Sequence, residues 1–315
     1  MQVERVSAPL PQRILGRTGL RVSELGFGCS SFWAKPAFPE SQALALVEQA
    51  IDGGITFFDT GPSYAAGNAE RRLGCVLRGL RNTASLTICS KTGTHADGNG
   101  RLFRDWSPRA VKTSVQQSLE RLGIGQLHVL HLHGPAITDL TPPLFEALEG
   151  LKHEGLVRFI GINSFDDDVI RFGLTIPLFD SFMIEYNVLK KRNLALLTEI
   201  AASGAGAVIG TPVAQALFRP AAALWPISRK TIWELARALK NHHRDLRTAR
   251  AYKFLNEIPG MTGAQAALAF VLRARPFATA VFGTTSSSHL SSNLAAARIT
   301  LPPELIQQIE ALPDG

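Results

Sequence analysis

The chain contains 315 residues, of which 45% are hydrophobic and 19% charged, proportions that are ordinary for a globular protein with a large core. Its 33 basic and 26 acidic side chains give a net charge of +7, but the basic residues are scattered and form no nucleic-acid-binding motif. The three cysteines Cys29, Cys75 and Cys89 are too few and too widely spaced for a metal site or a disulfide framework, and no apolar run approaches the ~18 residues that a membrane span needs.

The N-terminal segment is predicted to lie outside the folded domain. Residues 1–12 carry Glu4 and Arg5 and lack the apolar run of a signal peptide, so we expect a flexible tail on a soluble, cytoplasmic protein. Residues 13–24 alternate in polarity around Thr18-Gly19, which predicts a β-hairpin that covers one end of the fold. Residues 13–315 contain no low-complexity linker and are expected to form a single domain.

Short apolar segments then alternate with helical patterns along the chain. Eight buried strands are predicted, at 25–29, 55–59, 86–90, 127–132, 156–162, 182–186, 207–210 and 279–282. Helices are predicted at 39–53, 69–80, 107–122, around 144–151, and at 166–172, 194–202, 231–239, 248–255, 264–273, 288–297 and 304–312. Two long loops remain, at 92–107 and 212–228, and the first is long enough to act as a lid or pocket wall.

This alternation indicates an α/β fold built from parallel strands. Eight strands fit a closed (β/α)8 TIM barrel with an N-terminal β-hairpin cap and extra C-terminal helices. The alternative is an open doubly wound sheet, which would place a glycine-rich fingerprint after its first strand. Gly26-Phe27-Gly28 has no third glycine at the required spacing, so the barrel is favoured.

Four side chains of chemical interest lie at or just after the ends of three consecutive strands. Asp59 ends the second strand and Tyr64 follows five residues later, while Lys91 and His133 directly follow the next two. In a parallel barrel these ends share one face, which is where barrel enzymes keep their chemistry. Each residue alone has an ordinary structural explanation, such as a helix cap, half-buried packing or a solvated charge. Their coincidence at one face favours a functional site.

Together these groups suit the reduction of a carbonyl. An ammonium beside a phenol favours the phenolate, so Lys91 is expected to lower the pKa of Tyr64 towards the working range of a general acid. Asp59 would keep Lys91 charged and oriented, and His133 could donate a hydrogen bond to the carbonyl oxygen.

Several blocks of the sequence resemble those of the aldo-keto reductases, in the order in which that family carries them. The matching blocks are 54–60 with Tyr64, 67–74, 90–93, 118–123, 131–135, 161–165 and 185–187, and the resemblance extends from about residue 13 to residue 312. It implies a (β/α)8 barrel that binds NADPH across its C-terminal face. It also implies that Tyr64 donates the proton, that Asp59 and Lys91 adjust its acidity, and that His133 orients the carbonyl.

The same resemblance implies cofactor-binding positions, some of which depart from the family pattern. Asn163 and Ser164 stand where the family has a Ser-Asn pair for the carboxamide, Met183 where it has Gln, and Gly210 where many members stack a Tyr on the nicotinamide. The positions that match the phosphate loop and the adenine segment are Thr211, Pro212, Val213, Gln215, Leu217, Gly283, Thr284, Thr285, His289 and Asn293. His289 lies near the place of the Arg that usually binds the 2′-phosphate, so NADPH is expected and NADH stays possible.

Aromatic residues on the predicted loops provide a hypothesis for the substrate pocket. They are Phe32, Trp33, Phe103, Trp106, Phe218 and Trp225, and they could line an apolar site for a small carbonyl or alcohol substrate. They could equally anchor the long loops to the core.

Two other functions stay open at this point. Lys91 could form a Schiff base in a lyase, or the barrel could be a nucleotide-binding regulatory subunit with little turnover. The reductase interpretation requires no metal, and the sequence is compatible with a monomer or a homo-oligomer.

Overall fold

A computed structural model describes residues 9–97, 99–214, 248 and 250–314. Its strands are β1 (Gln12–Ile14), β2 (Arg21–Ser23), β3 (Leu25–Gly28), β4 (Phe57–Asp59), β5 (Thr87–Thr92), β6 (Thr94–Ala96), β7 (Leu102–Arg104), β8 (Leu127–His133), β9 (Val157–Asn163), β10 (Ser181–Glu185), β11 (Gly206–Gly210) and β12 (Thr279–Phe282). Eight of them close a parallel barrel in the order β10-β11-β12-β3-β4-β5-β8-β9. The predicted eight-stranded barrel is therefore confirmed.

The helices surround this barrel. They are α1 (Glu40–Asp52), α2 (Asn68–Gly79), α3 (Pro108–Leu122), α4 (Pro142–His153), α5 (Asp167–Leu174), α6 (Leu194–Ala202), α7 (Gly263–Leu272), α8 (Ser287–Ala296) and α9 (Pro303–Ala311). Arg250–Asn256 form a 3-10 helix where the sequence predicts the helix 248–255. The predicted helix 231–239 and nearly all of the loop 212–228 lie outside the described residues. Among the helices that are described, none is long and apolar enough to cross a membrane.

The N-terminal hairpin closes one end of the barrel. Strands β1 and β2 pair antiparallel, and Leu15 between them is fully buried against the start of β11 at Gly206. The Arg13 guanidinium donates to the carbonyl oxygens of Leu272, Ala274 and Phe277 and pairs with Glu24 at 2.9 Å. These contacts cover the N-terminal ends of the strands and leave the opposite mouth for other elements.

At that opposite mouth, the structure corrects the prediction of an irregular loop at 92–107. Strands β6 and β7 form an antiparallel hairpin there, with Thr94 opposite Arg104 and Ala96 opposite Leu102. Asp97 Oδ1 accepts backbone N–H groups of Asn99 and Arg101 and so shapes the turn. The hairpin follows β5 directly, which places it beside the Lys91 end of the barrel.

Gly93 joins β5 to this hairpin and has a φ of +88°, a conformation that favours glycine. A Cβ at Gly93 would lie 1.8 Å from the Trp106 ring. The absence of a side chain therefore lets Trp106 pack onto the chain at the base of the hairpin.

Candidate active site

The barrel brings the four predicted side chains to one mouth. Parallel pairing sets Gly28 beside Asp59 and Asp59 beside Cys89, and continues around the barrel with Lys91 beside His131 and His133 beside Asn163. Asp59 and His133 are the last residues of β4 and β8, and Lys91 lies one residue before the end of β5. These strand ends therefore meet at one mouth of the barrel, as predicted.

Lys91 is held by a buried carboxylate. Its Nζ lies 2.5 Å from each oxygen of Asp59 and donates to the Thr60 carbonyl at 2.9 Å, and the side chain is 1% exposed. Burial opposes the charge on Lys91, but the Asp59 carboxylate outweighs it and the pKa of Lys91 is raised. Burial raises the pKa of Asp59, and the contact with Lys91 limits that increase. Lys91 is thus a fixed, charged ammonium at neutral pH.

Tyr64 lies between this ammonium and His133. Its ring centroid is 5.0 Å from Lys91 Nζ, and its ring meets the His133 ring edge-on at 5.6 Å between centroids. Ala65 and Ala66, which follow it, both have positive φ, a strained conformation for residues with a Cβ that tends to occur at functional sites.

The structure reverses the net direction predicted for the acidity of Tyr64. Burial raises the pKa of Tyr64, and the nearby Lys91 only partly offsets that increase. The phenol is therefore protonated at neutral pH in this structure.

His133 is a neutral imidazole in this environment. Burial lowers the pKa of His133 to about 3, and the charges of Lys91 and Arg104 act in the same direction. Ser63 Oγ lies 3.4 Å from His133 Nδ1, and a hydroxyl that donates to Nδ1 leaves the ring proton on Nε2. Thr94 Oγ1 donates to the His133 carbonyl at 2.8 Å and ties the β6–β7 hairpin to this strand end. Neither Ser63 nor Thr94 is among the site residues predicted from the sequence.

A second set of polar groups lies inside the barrel beneath Lys91. Cys89 Sγ is 3.4 Å from His131 Nδ1, and His131 Nε2 is 2.7 Å from Ser181 Oγ. Burial lowers the pKa of His131 to about 3, with Lys91 acting in the same direction. The ligand atoms of Asp59, Cys89 and His131 lie within 4.8 Å of one another, but Lys91 Nζ already contacts both carboxylate oxygens, which disfavours a metal ion there.

The predicted carboxamide residues border the same mouth. Asn163 and Ser164 are mostly buried at the end of β9 and beside a cleft at the mouth. Asn163 Nδ2 and the Ser164 N–H both donate to the Met183 carbonyl, at 3.3 and 3.1 Å. The Met183 side chain points into the barrel interior, where it is 4% exposed, so it fills space and offers no amide group.

Other predicted cofactor positions form two groups. Thr211 has a φ of +52°, and its hydroxyl donates a hydrogen bond to the Glu185 carboxylate. Pro212 and Val213 follow it. Gln215 and Leu217 lie outside the described residues. Thr284 and Thr285 precede α8, where Ser286 caps the helix by accepting the His289 N–H. Gly283, at the end of β12, approaches the Gly28 backbone, while His289 is exposed on α8 and Asn293 is buried.

The cleft at the mouth, hereafter the mouth cleft, has a volume of about 420 Å³. It lies between the β6–β7 hairpin and the turn after β9, and its lining includes Leu102, Phe103, Arg104, His133, Asn163 and Phe165. A Cβ on Gly210 would lie 3.5 Å from the Phe165 ring. Phe165 therefore occupies space beside the position where many aldo-keto reductases carry a Tyr.

The structure corrects the assignment of Trp33 to a pocket wall. Its ring is 1% exposed, its Nε1 donates to the Ala43 carbonyl at 3.1 Å, and it packs edge-on against Phe27. Phe32 is half-buried against Phe38, and Trp106 is half-buried over Gly93. Phe103 is 48% exposed in the mouth cleft. Phe218 and Trp225 fall outside the described part of the chain.

Comparisons with known proteins agree with this architecture. The model of the aldo/keto reductase family matches residues 24–314. L-galactose dehydrogenase of Arabidopsis thaliana is 28% identical over 316 aligned positions, which cover 95% of this chain and 93% of that protein. The holo form of aldo-keto reductase AKR11C1 from Bacillus halodurans superposes with a TM-score of 0.79 at 28% identity and covers 97% of both chains.

A third comparison concerns the fold alone. The glycerol dehydrogenase AKR11B4 from Gluconobacter oxydans has a TM-score of 0.76 at 20% identity, with 96% of this chain and 95% of that chain covered. At this identity the likeness extends to the barrel and carries no information on the substrate.

Proposed function

The chain belongs to the aldo/keto reductase family and is an oxidoreductase, and on this premise we propose that it reduces an aldehyde or ketone to an alcohol, or catalyses the reverse reaction, with a nicotinamide cofactor and with Tyr64 as the proton donor. The observation that carries the proposal is the buried Lys91–Asp59 pair next to the Tyr64 ring. A fixed cation beside a phenol stabilises the phenolate that forms when the phenol loses its proton during the reaction.

The protonation of Tyr64 supports this role. Burial raises the pKa of Tyr64 further above neutral pH, so the phenol is protonated, which is the state a donor must have before reaction. When the proton leaves, the phenolate that remains is stabilised by the Lys91 ammonium, and Asp59 holds that ammonium in place without a further reorganisation of the site.

His133 is suited to bind the carbonyl oxygen. It is neutral at working pH because burial lowers its pKa to about 3, and we propose that the Ser63 hydroxyl, 3.4 Å from Nδ1, donates to that nitrogen so that the ring proton lies on Nε2. A neutral N–H donor next to Tyr64 positions the carbonyl oxygen and does not compete with the phenol for the role of acid.

The residues present fit a dinucleotide. A reduced nicotinamide bound there would supply hydride to the carbonyl carbon. Asn163 and Ser164 present amide and hydroxyl groups beside the catalytic groups for the carboxamide, and the N-terminus of α8 after Gly283 offers backbone N–H groups suited to a phosphate. We propose NADPH as the preferred form with His289 near the 2′-phosphate, and NADH as the alternative.

Cofactor fluorescence titration with NADPH and NADH, followed by turnover of a panel of aldehydes and ketones, tests this proposal. We expect binding of at least one nucleotide and its oxidation by several carbonyl compounds. Tight nucleotide binding with no turnover across the panel would instead favour a regulatory binding protein.

The site argues against a Schiff-base lyase. An amine nucleophile must be unprotonated and accessible, whereas Lys91 is 1% exposed, contacts both oxygens of Asp59 and has a raised pKa. Borohydride should therefore trap no substrate on Lys91.

A further inference from the structure

Arg104 is an exposed cation in the lining of the mouth cleft. It is the last residue of β7, the second strand of the hairpin. Its side chain borders the cleft together with His133 and Gly134. A Cβ on Gly134 would lie 3.6 Å from Arg104 Nη2, so the guanidinium rests directly over the residue that follows His133. Its charge also contributes to the low pKa of His133.

This guanidinium has no anionic partner within the described residues. Arg13, Arg71, Arg121, Arg171 and Arg273 each pair with a Glu, whereas Arg104 makes no such pair with a described residue.

The nearest acidic residues in sequence are engaged elsewhere. Asp97 accepts the N–H groups of Asn99 and Arg101, and Asp105 accepts that of Ser107. Among the described residues, the lining of the mouth cleft contains one charged side chain, that of Arg104, and no carboxylate. An anion entering the cleft would therefore meet the Arg104 cation, with no carboxylate from the described lining to repel it.

The walls beside Arg104 are apolar and face solvent. Leu102, Phe103 and Phe165 are 58%, 48% and 56% exposed, although side chains of this size are ordinarily buried. Phe103 and Phe165 belong to the hairpin and to the turn after β9, on the two sides of the cleft. Among the described residues, the lining of the cleft thus combines apolar walls, one cation and the candidate catalytic residue His133, whose ring contacts that of Tyr64.

We propose that the substrate of this site is an aldehyde or ketone that bears a carboxylate, with Arg104 binding the carboxylate, the apolar walls holding the body of the molecule, and Tyr64 and His133 meeting the carbonyl oxygen. This inference rests on the proposed function. A carboxylate matches the planar fork of a guanidinium, which can donate two parallel hydrogen bonds to it. Because Arg104 lies over the residue after His133, the two groups of the substrate are separated by a short chain or one ring.

The test compares two aldehydes that differ in one charge, 4-carboxybenzaldehyde and its methyl ester. The readout is the ratio of their kcat/KM values, because an indirect effect of Arg104 on His133 changes both rates and cancels in the ratio. We expect Arg104→Gln to lower the ratio about tenfold through KM for the acid, and Arg104→Lys to lower it less. Added salt should lower the ratio in the wild type more than in Arg104→Gln.

The matched control is Arg101→Gln. Arg101 is exposed on the same hairpin but does not line the cleft, and this variant should keep the wild-type ratio. An unchanged ratio in Arg104→Gln, or an equal fall in Arg101→Gln, would overturn the inference. Weaker nucleotide binding in Arg104→Gln with an unchanged ratio would also overturn it, since Arg104 would then serve the cofactor.

Failure of the inference and failure of the proposed function are distinguishable. If the wild type reduces both aldehydes and the ratio does not depend on Arg104, the inference alone is wrong. If the wild type oxidises no nucleotide with any carbonyl compound, the proposed function itself is wrong.

Discussion

At the scale of single residues, burial sets the direction in which the pKa values of Tyr64 and His133 shift. The sequence places an amine, a phenol and an imidazole together, from which a lowered pKa of Tyr64 is predicted. It does not reveal that desolvation outweighs the Lys91 charge at Tyr64 or that it keeps His133 neutral. Both outcomes suit a site in which Tyr64 is the acid and His133 is a neutral hydrogen-bond donor.

His133→Ala should therefore act on carbonyl binding and leave nucleotide binding unchanged. We expect kcat/KM for aldehydes to fall by roughly 10²-fold, the usual cost of losing one such donor, with the fall largely in KM. Steady-state kinetics and nucleotide titration measure the two effects. His153→Ala, at the exposed end of α4, is the control. An equal loss of nucleotide affinity in His133→Ala would contradict its assignment to the carbonyl.

At the scale of elements, one buried carboxylate connects α2, β5 and α3. Glu70 is fully buried in the first turn of α2, accepts the Ser90 hydroxyl at 2.6 Å and pairs with Arg121 Nε at 2.7 Å. Ser90 precedes Lys91, so this contact fixes the strand that carries the ammonium. The sequence block around Glu70 indicates its family but not this role, since the three partners are far apart along the chain.

Arg121→Met should destabilise the protein by about 3 kcal/mol, because it leaves the Glu70 charge buried without its partner. The free energy of unfolding from urea denaturation measures this effect. Arg171→Met removes an exposed pair with Glu199 and should leave the denaturation midpoint nearly unchanged. If the two variants shifted the midpoint equally, Glu70 would not depend on Arg121.

The β6–β7 hairpin shows where prediction of elements fails. The sequence at 92–107 lacks a regular alternation of apolar residues, so it is predicted as a loop. Its strands are held by backbone pairing, by the Asp97 turn and by the Thr94 contact with His133. The barrel strands, in contrast, are short and mostly apolar, and all eight could be predicted from that pattern.

At the scale of the whole molecule, closure of the barrel creates contacts that no local pattern contains. Cys89, His131 and Ser181 lie on β5, β8 and β10 and meet only inside the closed barrel. Trp33 is wrongly predicted as a pocket residue because an aromatic loop residue can pack inwards or outwards with the same local sequence. The strand ends are predicted correctly because parallel closure requires them to share one mouth.

The buried histidines should make the fold sensitive to acid. Burial lowers the pKa of both His131 and His133 to about 3, whereas an unfolded histidine titrates near ~6.5. Between these values the unfolded chain binds protons that the folded chain does not, so the free energy of unfolding falls as pH drops from ~6.5 towards 3.

His131→Gln should reduce this pH dependence by the contribution of about one proton, roughly 1.4 kcal/mol per pH unit below ~6. Urea denaturation at several pH values between 5 and 7 measures the slope for the variant and the wild type. Equal slopes would show that His131 is protonated in the folded state or does not titrate on unfolding.

The central claim is that Tyr64 delivers the proton for carbonyl reduction, and the rate of nucleotide oxidation by Tyr64→Phe at saturating aldehyde tests it most directly. Tyr252→Phe removes another phenol that contacts a lysine, Lys191 at 2.6 Å, and serves as the control. We expect Tyr64→Phe to lose at least ~10²-fold in rate and to bind the nucleotide with nearly wild-type affinity, whereas Tyr252→Phe should keep the wild-type rate. A wild-type rate in Tyr64→Phe would show that Tyr64 is not the proton donor.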